Sequence, residues 1–276
     1  EFAKTCDQPI VIHVITKKGK GFNAALDHPE KFHGTGGYNP ATGESLPSKP
    51  GTPPKYQDVF GQTMVKLCQK DTSVVGITAA MPSGTGLSAL EKAMPDRYFD
   101  VGIAEGHGVL FAAGMATMGY RPVCAIYSTF LQRGYDQLIH DVALQDLDVT
   151  FALDRAGLVG EDGATHGGVF DLAYLRTVPN MIIAAPSDEN ECRQLLSSSY
   201  QHEGPAAVRY PRGTGPGVAI EKPLDTLPIG QARTLRDGQQ VAILAFGALT
   251  PAALDAGKAL NATVLDMRWV KPLDRD

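Results

Sequence analysis

From Asp58 onward, short continuous apolar runs alternate with stretches whose apolar residues fall at helical spacing. Runs of this kind read as strands buried on both faces, and the stretches between them read as crossover helices. The pattern predicts a helix from Asp58, as its cap, through Lys70, with Val59, Met64, Val65 and Leu67 on the inner face. It continues with a strand (74–78), a helix (88–94), a short strand (98–101), a helix of small residues (105–118), a strand (123–127) and a helix (131–144). After a strand at 149–153 comes a long Gly-rich loop, then a strand (181–185), a helix (188–200) and a strand (206–210). Regular alternation of this sort implies an α/β fold, a mostly parallel sheet with helices on both faces and right-handed connections.

Outside that block the pattern changes. Pro9–Ile15 reads as a buried strand followed by a Lys17-Lys18-Gly19-Lys20-Gly21 turn, and residues 27–56 are rich in Gly and Pro without apolar periodicity, as in a linker. A second Pro-rich stretch, 213–228, separates the block from a strand, helix and strand at 241–246, 251–260 and 263–267. Three regions follow: 1–54, 55–222 and 223–276. There is no initiating Met, and the first and last strand-like runs lie close to the ends, so further chain is expected on both sides.

Composition narrows the class. With 43% hydrophobic and 20% charged residues the chain is an ordinary globular protein, and a net charge of −5 argues against a general nucleic-acid binder. No apolar run approaches the length of a membrane helix, and no signal peptide is visible. Cys6, Cys68, Cys124 and Cys192 are far apart and form no C-x-x-C pair, as expected of free thiols in a reducing compartment. A phosphate-binding G-x-x-x-x-G-K-[ST] loop, an H-E-x-x-H zinc site and a G-x-S-x-G elbow are all missing from the sequence. The His residues lack metal-ligand spacing, so no metal ligand is assigned.

Ligands of open parallel sheets bind beyond the carboxyl ends of the strands. Those ends deliver Ala79-Ala80-Met81, Gly102-Ile103-Ala104-Glu105, Tyr127-Ser128-Thr129-Phe130 with Arg133 one turn on, Asp154-Arg155 running into the loop with Asp162 and His166, and Arg209-Tyr210-Pro211-Arg212. Each residue has two readings. Arg133, Arg155 and Arg212 are surface cations or, together, bidentate holders of a phosphate. Glu105 is either a charge complementing a helix dipole or a buried carboxyl that holds a proton. Phe130 is core or a platform for a flat ring, and His166 is a proton shuttle or a tie within its loop. Convergence on one rim favours the functional reading.

The runs Asp100-Val101-Gly102-Ile103-Ala104-Glu105, Ala125–Arg133 (Ala-Ile-Tyr-Ser-Thr-Phe-Leu-Gln-Arg), Asp154–Gly163 (Asp-Arg-Ala-Gly-Leu-Val-Gly-Glu-Asp-Gly) and Val208-Arg209-Tyr210-Pro211-Arg212-Gly213 resemble the 1-deoxy-D-xylulose-5-phosphate synthase family, and the likeness spans nearly the whole chain. The resemblance implies a transketolase-type transferase that joins pyruvate to D-glyceraldehyde 3-phosphate with loss of carbon dioxide, using thiamine diphosphate and Mg²⁺. It implies the first step of the methylerythritol phosphate route to isoprenoids, feeding thiamine and pyridoxal synthesis, and a homodimer in the bacterial cytoplasm or the plastid, with no nucleic acid or membrane as partner. Residues 1–54 would end a diphosphate-binding domain, 55–222 form a pyrimidine-binding domain, and 223–276 open a C-terminal domain.

The same resemblance gives roles. Glu105 is the cofactor-activating carboxyl, Phe130 stacks on the pyrimidine, and Lys18 and Ile103 lie by the cofactor. Arg155 and Arg212 hold the aldehyde's phosphate, with Tyr127 and Arg133 in the same pocket. Asp162, His166 and His33 act on the substrates. Two departures stand out. Gly106-His107-Gly108 follows the glutamate where the family has Gln-His-Ala, and the family's metal-binding G-D-G…N motif is not in the sequence. Two other readings are a pyrimidine-binding subunit of a split transketolase or 2-oxoacid dehydrogenase, and a non-catalytic regulatory homologue.

Overall fold

Val74–Thr78 (β1), Arg121–Tyr127 (β3) and Thr150–Asp154 (β4) are almost wholly buried. Runs this apolar must be covered on both faces, and they form the centre of one sheet. Tyr98–Asp100 (β2), Ile182–Ala184 (β5), Ala206–Arg209 (β6) and Trp269–Lys271 (β10) complete it in the order β10-β5-β6-β4-β3-β1-β2. All pairings are parallel except β10 against β5. The coordinates are a computed structural model, in which residues 1–29, 31–47, 49–220 and 223–276 are described.

Helices cover both faces, as the apolar runs require. Helices Tyr56–Lys70 and Glu189–Gln201 enclose one core, built on Phe60, Met64, Leu67, Leu90, Leu195 and Trp269. Helix Glu105–Thr117 and the segment around Leu138–Ala143 enclose the other, built on Ile77, Val109, Leu131, Val142, Phe151 and Leu153. A separate three-stranded sheet joins Arg233–Arg236 (β7), Thr263–Asp266 (β9) and Ala242–Ala245 (β8) in the order β7-β9-β8, with helix Thr250–Ala259 between β8 and β9.

The chain divides into two compact units, Glu1–Thr52 and Pro53–Asp276. In the first, the Lys17–Gly21 turn forms, closed by Lys20 N–H donating to Lys17 O at 3.2 Å. Phe22, Phe32 and Tyr38 pack edge and face within it. The sequence boundary at 222/223 falls on Lys222, outside the described residues.

Four expectations need correction. Pro9–Ile15 is not a buried strand: no strand is assigned there, and Val11 and Ile15 are exposed. An extended run needs a neighbouring strand to accept its backbone bonds, and the described residues of that unit supply none. Asp58 does not cap its helix; Lys55 stands at the N-cap and Asp58 sits in the first turn, where its charge suits the helix dipole. The segment 131–144 is not one α-helix but a 3₁₀ turn (Phe130–Gly134), an α turn (Tyr135–Gln137) and a π turn (Leu138–Ala143). The sheet also gains β10, and the small sheet gains β7; both are short, and their pairing is antiparallel.

Candidate active site

Five strand ends meet at the carboxyl rim of the large sheet, and a few loop contacts set the side chains there. After β2, Asp100 Oδ1 accepts from Ala80 N–H at 2.7 Å and Gly102 N–H at 2.9 Å. That carboxylate ties the loop after β1 to the loop that leads into Glu105. After β4, the loop closes on itself through two bonds between Gly157 and Gly168, at 2.7 and 2.9 Å. Gly168 has no alternative there, because a Cβ would stand 2.1 Å from Arg155 O and 2.6 Å from Ser128 Oγ.

Glu105 is buried, 6% exposed, in the first turn of its helix. Its Oε1 accepts from Arg133 Nη1 at 2.8 Å. Oε2 has no partner among the described residues. Glu105 lines a narrow cleft with Thr78, Met81, Ile126, Tyr127 and Phe130. Thr78 Oγ1 is buried there without a hydrogen-bond partner.

A ladder of rings and cations runs across the rim. Arg133 lies 5.1 Å from the Phe130 ring centre, and Phe130 and Tyr127 are parallel at 5.9 Å. The Arg155 guanidinium lies 4.3 Å over Tyr127. His166 sets its ring edgewise on both aromatics, at 5.3 Å from Phe130 and 6.3 Å from Tyr127, and its Nδ1 is 3.0 Å from Thr165 Oγ1. Cation–π contacts of this kind contribute roughly 0.5–2 kcal/mol each and hold flat groups in register.

At the far end of the ladder, Asp162 bridges two arginines. Its Oδ1 is 3.0 Å from Arg212 Nε and its Oδ2 is 3.4 Å from Arg155 Nε. Arg212 also reaches Glu161 at 3.3 Å. A phosphate monoester entering here competes with Asp162 for both guanidinium groups.

The predicted site residues thus fall into distinct places. Glu105, Phe130, Tyr127, His166, Asp162, Arg155 and Arg212 share one rim. Arg133 joins the Glu105 end of it instead of the Asp162-bridged pair. Ile103 is exposed on the turn ahead of Glu105. Lys18 and His33 lie in the first unit, both exposed.

Sequence reasoning brought Asp154 to the rim without giving it a role, and passed over Gln57 and Gly84. Asp154 ends β4, fully buried, with Oδ2 2.7 Å from Arg155 Nη1. Gln57 Oε1 and Gly84 O accept from that same nitrogen, each at 3.0 Å. A Cβ at Gly84 would stand 2.4 Å from Tyr127 Oη, so the close approach needs glycine. The position of Asp154 immediately before Arg155 was the available signal.

Burial pushes the Asp154 carboxyl up to about 7; the attraction of Arg155 opposes this and Asp162 reinforces it. A carboxyl raised on folding costs stability when it ionises, so the loss sets in above about pH 4 and levels off above about pH 7. The full swing is on the order of 4 kcal/mol. Asp154→Asn removes the titration. The Tm of Asp154→Asn minus that of the wild type is therefore expected to rise by several degrees between pH 5 and pH 8, as read by calorimetry. A pH-independent difference would contradict the assignment.

Comparison with known proteins fits this geometry. Residues 52–217 match the family described as "Transketolase, pyrimidine binding domain", and residues 230–276 match "Transketolase, C-terminal domain". The chain is 65% identical over 274 residues to the "1-deoxy-D-xylulose-5-phosphate synthase" of Alcanivorax borkumensis, covering 97% of this chain and 42% of that protein. It is 60% identical over 265 residues to the synthase of the same name from Bordetella petrii, covering 96% and 42%. The chain thus spans less than half the length of these curated relatives. Among solved structures, a "Split gene transketolase, inactive beta4 tetramer" superimposes with a TM-score of 0.72 at 31% identity, over 80% of this chain and 73% of that one. A transketolase from Leishmania mexicana, at 21% identity, shares the fold with a TM-score of 0.68 over 84% of this chain and 36% of its own. The chain belongs to the transketolase family, with the family's pyrimidine-binding domain over residues 52–217 and its C-terminal domain over 230–276.

Proposed function

We propose that this chain is part of a 1-deoxy-D-xylulose-5-phosphate synthase, which decarboxylates pyruvate and joins the remaining two carbons to D-glyceraldehyde 3-phosphate. The observation that carries this reading is the identity of 60–65% over nearly the whole chain with proteins of that name. The product would feed isoprenoid, thiamine and pyridoxal synthesis. Among the described residues, no helix is long and apolar enough to cross a membrane.

The residues lining the cleft at Glu105 have the chemistry that the pyrimidine end of thiamine diphosphate needs, and the cleft, about 10 Å³, would have to widen to admit the ring. That ring is flat, apolar on its faces and polar at its edge. Phe130 offers a face, while Glu105 Oε2 and the orphaned Thr78 Oγ1 offer polar atoms to an edge. When bound, thiamine diphosphate supplies the nucleophilic carbon and the electron sink for decarboxylation. Mg²⁺ would accompany the diphosphate, and its ligands are not assigned to this chain.

The chain's own residues do the rest. Glu105 Oε2 bonds the pyrimidine edge and holds the proton shared there, while Arg133 fixes the carboxyl through Oε1. Phe130 fixes the plane of the ring. Arg155 and Arg212 take the phosphate of the aldehyde once Asp162 yields to it. His166, edgewise on the aromatic ladder, lies between the two ends and is placed to exchange a proton with a carbonyl or hydroxyl of the acceptor.

The 31% likeness to a split-gene transketolase chain favours a second reading, in which this chain is the pyrimidine-binding part of a split transketolase; under that reading a ketose phosphate would be the donor. Donor competition separates the two. With thiamine diphosphate, Mg²⁺ and D-glyceraldehyde 3-phosphate, pyruvate is expected to yield a deoxyketose phosphate identified by mass. Turnover with ketose phosphates and none with pyruvate would overturn the synthase reading.

The protein is proposed to act as a homodimer. Leu110 and Met118 are exposed along the Glu105–Thr117 helix and beyond its end, and line an apolar groove with Phe111 and Tyr120. Leu110→Glu with Met118→Glu is expected to lower the sedimentation coefficient of the protein to that of a monomer; a wild type already monomeric at micromolar concentration would contradict the dimer.

A further inference from the structure

Arg155 is held in an unusual way for a ligand-binding arginine. Its backbone is left-handed, with φ 59°, a conformation that a long side chain adopts only under local constraint. Asp154 supplies the constraint. Its Oδ1 accepts the Arg155 backbone N–H and its Oδ2 accepts from Nη1. Nη1 is also the nitrogen bonded to Gln57 Oε1 and Gly84 O, so all three acceptors crowd one corner of the guanidinium. Tyr127 covers one face of the plane. Nε points to Asp162, and Nη2 has no partner among the described residues.

We infer that Asp154 is a positioning residue for phosphate recognition: by fixing the backbone and the Nη1 corner of Arg155, it turns the Nε–Nη2 edge of the guanidinium toward the open rim, the edge that binds a phosphate monoester bidentately. The inference rests on the proposed role of Arg155. A guanidinium is planar, so once one corner and one face are fixed, the orientation of the remaining edge follows. A buried carboxyl is costly, and here its oxygens serve the residue next in the chain rather than a distant partner across the core. Gln57 is the second bracket. It reaches Nη1 from the first turn of its helix and donates from Nε2 to Ser83 O at 3.1 Å.

The test is a double-mutant cycle read as KM for D-glyceraldehyde 3-phosphate, with unphosphorylated D-glyceraldehyde as control. Arg155→Ala is expected to raise KM for the phosphorylated aldehyde about ten- to hundredfold, as for loss of a charged hydrogen-bond pair. Asp154→Asn is expected to raise it about tenfold in the wild-type background. In the Arg155→Ala background it should add nothing, because there is no longer a guanidinium to orient. KM for unphosphorylated glyceraldehyde should not move in any variant. Gln57→Ala, a half-buried position that leaves no core void, should raise KM a fewfold in the same pattern and stands in for Asp154→Asn if that variant fails to fold. An Asp154→Asn effect of equal size with and without Arg155, or of equal size on both aldehydes, would overturn the inference. If Arg155→Ala itself leaves KM unchanged, the phosphate-binding role of Arg155 fails, and the inference fails with it for that separate reason.

Discussion

Replacing Glu105 by alanine is expected to lower turnover by about a hundred- to ten-thousandfold while the protein still folds and still binds the phosphorylated aldehyde. Glu105 is the one carboxyl in the cleft that also contains Phe130 and the unpartnered Thr78 hydroxyl. Alanine removes the atom that bonds the pyrimidine edge and leaves Arg133 without its acceptor. Arg133 is more than half exposed, so its guanidinium can turn to water at little cost to stability. Glu105→Gln keeps the shape and an acceptor for Arg133 but carries no exchangeable carboxyl proton. It should therefore share the loss of turnover with a Tm near that of the wild type. A Glu105→Gln protein with more than a tenth of wild-type turnover would show that the carboxyl does not carry the proton.

The second large effect concerns the arginines bridged by Asp162. Arg212→Ala is expected to raise KM for D-glyceraldehyde 3-phosphate by about ten- to hundredfold and leave KM for pyruvate within a fewfold of the wild type. Charge-assisted contacts to phosphate contribute about 1.5–3 kcal/mol each. Arg212 is a third exposed and its partners are acidic loop residues, so its loss leaves the core intact. Arg212→Lys should recover only part of the binding, because an ammonium does not reproduce the planar fork. Asp162→Asn is a useful contrast. It removes the anion that competes for both guanidinium groups, so binding of the aldehyde should tighten or hold, while any role of Asp162 in later steps appears in kcat. Arg212→Ala raising both Michaelis constants together would point to a structural collapse of the rim.

Much of the fold could be read from the chain because buried parallel strands leave continuous apolar runs, and six of the seven strands of the large sheet were visible that way. β10 was not, since its three residues Trp269, Val270 and Lys271 mix a large aromatic with a charge and pair with a strand far back in the sequence. β7 was hidden by its arginines: Arg233 serves ion pairs with Asp266 and Glu191, and Arg236 bonds to Ala262 O and Asn261 Oδ1, so neither builds an apolar face. Periodicity predicted one helix over 131–144, where the backbone passes through 3₁₀, α and π turns, because side-chain spacing changes little between them.

At the site, the rule that ligands bind at strand carboxyl ends brings Glu105, Tyr127, Phe130, Arg155 and Arg212 to one rim from the sequence alone. The pairings were not legible. Whether Arg133 faces a phosphate or Glu105, and whether Asp162 stands alone or between two arginines, depends on loop geometry that no periodicity encodes. Asp154 had no role in the sequence for a related reason: just past a strand read as 149–153 it is one more rim residue, and only the left-handed turn at Arg155 shows its oxygens folding forward onto the next side chain.

The most direct measurement supplies the full-length protein, of which this chain is proposed to be part, with thiamine diphosphate, Mg²⁺, [1-¹³C]pyruvate and D-glyceraldehyde 3-phosphate, and counts labelled carbon dioxide against deoxyketose phosphate. The two are expected in equal amounts, and both lost together in Glu105→Ala. Neither product from the intact protein, or equal amounts persisting in Glu105→Ala, would contradict the proposed function.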